Sequence, residues 1–304
     1  MKPFFVFSGQ GAQSVGMGKD LAESSAAARK IFDTADDVLG YSLSSIIFEG
    51  PEDKLTQTLY CQVAIYTMSC AALEAFREKF PGVEPCGCAG LSLGEYGALY
   101  AAGAFDFVTG LKLLAKRAGL MDVACQEIRG GMASVLNGDV EIIREVCAEC
   151  GIDVANYNSP GQIVISGEKE KVTAAVAKLK ERGIRKVIEL NVAGAFHSRL
   201  MASAGVALVE PLAAADIAMP EVPVYHNVTA AVANDVDELR KNLADQVSGS
   251  VLWDDCVRAM VSAGGDTMIE FGPGNVLTKL CSRSIPEVKT VNINTAAALE
   301  NCQF

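Results

Sequence analysis

The chain has 304 residues, half of them hydrophobic and about a fifth charged, enough for one large domain or a large domain carrying a smaller one. Its net charge of −11 argues against a general nucleic-acid binder, which needs a basic face to neutralise phosphates. No apolar run reaches the roughly 18 residues of a membrane span. The start, "MKPFFVFSGQG", lacks the apolar region and cleavage site of a secretory signal, so a cytoplasmic location is expected. The ten cysteines are scattered. Cys86-x-Cys88 and Cys147-x-x-Cys150 are the only close pairs, and neither has a histidine at zinc-site spacing. They read as reduced thiols, and no metal site is expected.

In chain order, "PFFVFSG" predicts a strand ending in a glycine turn. "SSAAARKIFDTADDVLG" and "QVAIYTMSCAALEAFREKF" predict helices. "EPCGCAGLS" predicts a short strand, "EYGALYAAGA" a small-residue helix, and "FDFVTGLKLLAKRAGLMDVACQEI" a further helical region. Short apolar runs alternating with helices are the pattern of an α/β protein with a mainly parallel sheet. The middle then changes. "GMASVLNG", "DVEIIREVCAECG", "IDVANYN", "QIVISG", "EKEKVTAAVAKLKERG" and "IRKVIELN" spell β-α-β-β-α-β, the ferredoxin-like order. This predicts a small domain at 127–196 inserted into a large one made of 1–126 and 197–304. After it come a helix near 198–213, a strand in "VPVYHNVTA", more helix, and a late strand "TMIEFG" followed by "PGNVLTKL".

Gly90-Leu91-Ser92-Leu93-Gly94 places a serine between glycines after a strand and before a helix. In a nucleophile elbow the glycines relieve crowding at the sharp turn and the serine oxygen stays exposed. The next N–H, from Leu93, then points toward an oxyanion on an attached acyl group. The same letters also suit an ordinary strand-to-helix junction. A serine nucleophile needs a base, and the chain has only two histidines. His197, in "NVAGAFHSRLM", lies at a junction where a catalytic loop can sit. His226, inside the alternating "VPVYHNV", reads as structural. "FSGQGAQSVGMG" is a glycine loop without the Walker lysine or full dinucleotide spacing. Arg117 and Met121 stand one turn apart on an apolar helix. Such an arginine is either a snorkelling surface side chain or a guanidinium held to receive a carboxylate.

Together, "FSGQGAQ", "GLSLGEY", "KRAGLM", "NYNSPGQIVISG", "GAFHS", "HNVTA" and "FGPGNVLTKL", in this order from residue 4 to about 281, resemble the malonyl-CoA:acyl carrier protein transacylase family. The resemblance implies an α/β-hydrolase-like large domain interrupted by a ferredoxin-like small one. It implies Ser92 as nucleophile and His197 as its base, oriented by the backbone carbonyl of Gln246 in place of an aspartate. It further implies an oxyanion hole from the N–H groups of Leu93 and Gln10. Arg117, with Met121 beside it, would take the malonyl carboxylate, and Phe196 would crowd out an α-methyl branch. No cofactor is implied beyond the substrates, malonyl-CoA and a phosphopantetheinyl carrier protein, and the family is usually monomeric. The chain departs from the family's usual residues at Leu91, Leu252 and Asn275.

Residues 168–189 hold seven Lys/Arg and four Glu, a net of +3 in an acidic chain. They read either as a solvated helix face or, given acidic carrier proteins, as a steering patch of Lys178, Arg182, Arg185 or Lys186. Two other functions compete: a serine hydrolase releasing acyl groups to water, and a non-catalytic module binding carrier protein.

Overall fold

The computed structural model describes residues 1–303. Among these, nine strands form two sheets: β1 (Pro3–Phe7), β2 (Cys88–Gly90), β3 (Gly130–Leu136), β4 (Asp153–Ser159), β5 (Gln162–Glu168), β6 (Lys186–Leu190), β7 (Val224–Tyr225), β8 (Thr267–Phe271) and β9 (Lys289–Ile293). The first sheet is parallel, in the order β7-β2-β1-β8-β9. The second is antiparallel, in the order β4-β5-β3-β6. The protein is therefore α/β with one parallel and one antiparallel sheet.

β1 is the central strand of the parallel sheet, and all five of its residues are buried. Phe5 and Phe7 meet Phe271, and Phe5 also meets Phe76, at ring separations of 5.0–5.7 Å. Each such buried ring contributes roughly 1.5–3 kcal/mol. Phe76 belongs to the helix Thr58–Lys79, which is long and apolar enough to cross a membrane by length and composition alone. Here it is a core helix, its apolar surface covered on nearly every side. Gln62, Glu74 and Arg77 interrupt it, so it holds no unbroken apolar run of span length. Its hydropathy is spread around the whole circumference because it packs on every face.

The predicted helices and strands of the first 190 residues are present. Two differences follow later. The expected strand in "VPVYHNVTA" stops at Tyr225, because the chain turns at His226, whose carbonyl accepts from the N–H of Ala230. β9 was not expected. "KTVNI" is only five residues long and alternates polar with apolar at a sheet edge, so its pattern is weak.

The parallel arrangement decides where chemistry can occur. β1 and β2 end side by side, with Phe7 opposite Gly90. The loop from Ser8 and the elbow at Ser92 therefore emerge together at the carboxyl edge of the sheet, where ligands bind in open α/β sheets.

Candidate active site

Sterics explain the glycines of the elbow. A side chain at Gly90 would lie 1.9 Å from the main chain of Gly94, and one at Gly94 would lie 2.2 Å from the carbonyl oxygen of Phe7. Ser92 between them has φ +54°, a left-handed conformation costing on the order of 1–3 kcal/mol outside glycine. Asn227 offsets that cost. Its Oδ1 accepts from the Ser92 N–H at 2.7 Å, and its Nδ2 donates to the Gly90 carbonyl at 2.8 Å. One buried amide thus clamps both sides of the turn.

His197 also has φ +55°, in the segment that follows β6. Ser198 holds this turn by donating to the Ala195 carbonyl at 2.6 Å while capping the helical turn Arg199–Met201. The His197 Nδ1 lies 2.8 Å from the main-chain oxygen of Gln246. A carbonyl can only accept, so Nδ1 carries the proton and Nε2 is the acceptor. Nε2 is 2.7 Å from Ser92 Oγ, the separation of a nucleophile and its base. Burial, and then the charge of Arg117, lower the His197 pKa from its ordinary value of 6.5 to about 4. The imidazole is neutral at pH 7 and ready to accept a proton.

Arg117 comes from the helix Phe107–Glu127, started by Asp106, whose side chain accepts from the Thr109 N–H. Its guanidinium is almost completely buried, which lowers its pKa. Nη1 donates to Gln62 Oε1 at 2.5 Å, and Nη2 donates to Gln246 Oε1 at 2.9 Å and to Ser92 Oγ at 3.1 Å. Nε is buried without an acceptor. No Asp or Glu among the described residues pairs with Arg117. A buried cation without an anion is costly.

Of the other candidates, Met121 is buried and its sulfur accepts from Gln62 Nε2 at 3.5 Å, so it helps aim the amide that holds Arg117. Phe196 is buried in the main core beside His197 in the chain and makes no polar contact with the cluster. The N–H groups of Leu93 and Gln10 have no acceptor among the described residues. The loop carrying Gln10 lies close to the elbow, because a side chain at Gly9 would meet Leu91 at 2.7 Å. His226 stands apart from Ser92. It is buried, with Nδ1 2.6 Å from Glu95 Oε1.

A cleft of about 640 Å³ has His197 in its lining, together with Arg144, Asp153, Tyr157, Arg199 and Ser250. It lies beside β4, where the segments carrying His197 and Ser250 pack on the antiparallel sheet: Val251 bridges to Asn156 of β4, and Arg199 pairs with Asp153.

Gln62 and Asn227 were missed in the sequence. The available signal for Gln62 was one amide in the otherwise apolar "CQVAIYTMSCAA". For Asn227 it was an amide next to the histidine read as structural. Two of the four proposed steering cations are also accounted for. Lys178 pairs with Glu149 at 2.9 Å and Arg182 with Glu145 at 2.5 Å, so these charges are matched locally.

A paired serine and histidine beside a buried arginine are the equipment of acyl transfer. The chain belongs to the acyl transferase domain family, whose profile matches residues 4–300. Within it, the chain is 40% identical over 301 residues to the malonyl CoA-acyl carrier protein transacylase of Bacillus subtilis, covering 97% of this chain and 94% of that one. It is 36% identical to the protein of the same name from Escherichia coli K12, covering 97% and 96%. Among solved structures, a malonyl-transacylase in complex with its type II polyketide acyl-carrier protein superposes with a TM-score of 0.95. That match has 35% identity and covers 99% of this chain and 98% of that one.

Proposed function

We infer that the protein moves the malonyl group from malonyl-CoA to the phosphopantetheine thiol of an acyl carrier protein, through an ester on Ser92. It thereby supplies extender units for fatty-acid or polyketide synthesis. The observation that carries the substrate assignment is Arg117, a buried cation touching the nucleophile with an unmatched Nε and no carboxylate in contact, Glu95 acting on it only from across Gln246. The carboxylate of a malonyl group on Ser92 supplies that anion, and an acetyl group does not.

In the first step the Ser92 proton passes to His197 Nε2 as Oγ attacks the thioester carbonyl. The N–H groups of Leu93 and Gln10 receive the oxyanion. Coenzyme A leaves with the proton from His197. In the second step the carrier thiol gives its proton to His197 and attacks the ester, and Ser92 Oγ recovers the proton as it leaves. The reaction so written needs no cofactor.

The weak base suits a thiol acceptor. Burial and the facing charge of Arg117 keep the basicity of His197 low, and the neutral Gln246 carbonyl that orients it offsets this only in part. A thiol, with a pKa near 8.5, surrenders a proton to such a base far more readily than water, a much weaker acid. This favours transfer over the competing hydrolase reading.

The strand order β4-β5-β3-β6 with its two helices supports a ferredoxin-like small domain at 127–196, and the five parallel strands support a hydrolase-like large domain at 1–126 and 197–304. The cleft between them would admit the pantetheine arm. Phe196 would narrow it against α-methyl branches, and exposed Arg185 and Lys186 remain to steer an acidic carrier. Ten free cysteines suit a reducing cytoplasm, and a monomer is the expected state.

The test is to incubate the protein with malonyl-, methylmalonyl- and acetyl-CoA, then measure its intact mass with and without carrier protein. A malonyl adduct on Ser92 that the carrier discharges is expected. Malonyl-CoA turnover without any thiol would favour the hydrolase, and no adduct would favour the non-catalytic module.

A further inference from the structure

Behind the serine–histidine pair lies a buried network that the two transfer steps leave unused. Glu95, three residues after the nucleophile, is fully buried. Its Oε1 faces His226 Nδ1 at 2.6 Å. Its Oε2 accepts from the Asn227 N–H at 3.0 Å and from Gln246 Nε2 at 2.8 Å. The same Nε2 donates to the Ser92 carbonyl at 2.9 Å, and the opposite end of the amide, Oε1, accepts from Arg117.

This arrangement removes a degeneracy. An amide side chain can be turned end for end, since its oxygen and nitrogen nearly match in shape. With a carboxylate and a carbonyl on one side, only the NH₂ end fits there, so the oxygen must face the guanidinium. Gln246 also stands between Glu95 and Arg117, which keeps the protein's own carboxylate from becoming the arginine's partner. Relying on the reading above, we propose that Glu95 is a positioning residue for malonyl selectivity, acting through the Gln246 side chain to hold Arg117 in place and unpaired.

Glu95→Met tests this, because it removes both acceptors at similar length. Gln246 Nε2 then keeps only the Ser92 carbonyl, so the amide and the guanidinium it holds lose one of their two anchors. The malonyl-to-acetyl ratio of acylation kcat/KM at Ser92 is expected to fall about tenfold or more, the scale of one charge-assisted hydrogen bond. In the Arg117→Ala background the same change should alter the ratio less than about twofold, since coupled residues are not additive. Glu95→Gln, whose oxygen the Asn227 N–H holds on the Gln246 side while its NH₂ turns to His226, should retain more selectivity than Glu95→Met. A purely structural Glu95 would lower both acylation rates by one factor and leave the ratio unchanged, which overturns the proposal.

Gln246→Met keeps the main-chain carbonyl that orients His197 and removes the link from its other end. It should lower the ratio to the same extent, and it keeps the idea testable if Glu95→Met does not fold. An unchanged ratio in Gln246→Met contradicts the proposal. Lack of a malonyl adduct on the unaltered protein would sink the proposed function and this inference together. An adduct with an unchanged ratio in the variants would sink this inference alone.

Discussion

The cations around the small sheet's helices and the one beside Ser92 are arranged in opposite ways. On the surface, Lys178 and Arg182 face Glu149 and Glu145, and Arg144 faces Glu141. Water would solvate each of these charges without help, so the pairs contribute little. Arg117 is buried where an anion is most needed and has only amides and a hydroxyl for partners. The difference teaches where the missing charge belongs. On the function proposed above, a cation left unpaired in the interior beside Ser92 Oγ is held for an acyl group that carries its own carboxylate.

The contrast can be broken at several points. Ser92→Ala has the largest expected effect: no acyl adduct by intact mass, and a fall in transfer of roughly 10⁴-fold or more, as for other triad serines. A surviving adduct would mean a different nucleophile. Gln62→Leu removes the acceptor that holds Arg117 Nη1 and leaves another buried donor unmatched. It should lower malonyl acylation about 10- to 100-fold and acetyl acylation much less, measured as kcat/KM. Equal losses would show that Gln62 serves the core and not the arginine.

Acidity tests the electrostatics. His197 must be neutral to accept the serine proton, so labelling of Ser92 by a sulfonyl fluoride should rise through about pH 4 and then level off. In Arg117→Ala the limb should move upward, toward 6.5, because one of its two lowering causes is gone. A wild-type limb already at 6.5 would contradict the assignment. The sign for stability follows from the same shift. Between about pH 4 and 6.5 the unfolded chain binds more protons at this site than the folded one. The neutral histidine's share of stability is therefore complete above about 6.5 and is lost as the pH falls toward 4. The smallest effect belongs to the surface. Lys178→Ala with Arg182→Ala should leave the thermal midpoint within about 2 °C of the original. A larger drop would mean that these pairs carry more of the fold than exposed charges normally do.

The legible parts of the site were those whose chemistry sits in a local pattern. The elbow at Ser92 is marked by its glycines, and His197 by there being only two histidines to choose between. Arg117 was ambiguous as a sequence feature, since a snorkelling arginine on an apolar helix looks the same. Only burial separates the two readings. Gln246 could be named from family resemblance but not from its surroundings, because a main-chain carbonyl leaves no trace in residue type. Gln62, Glu95 and Asn227 were unreadable as a group. They come from three distant segments, and their roles exist only after the parallel sheet brings the ends of β1 and β2 together. Lone polar residues inside apolar helices, as at Gln62 and Glu95, were the available hint. In the fold, the long central elements were clear from periodicity. β9 and the early end of β7 were not, since short edge strands take their structure from neighbours.

The central claim is that a substrate carboxylate completes Arg117. Its most direct test is a competition between malonyl-CoA and acetyl-CoA for Ser92, read by intact mass in the unaltered protein and in Arg117→Ala. The unaltered protein should carry malonate almost alone. The variant should lose that preference by roughly 100-fold, the scale of removing one partner from a buried charge pair. An Arg117→Ala protein that still selects malonate as strongly would contradict the account.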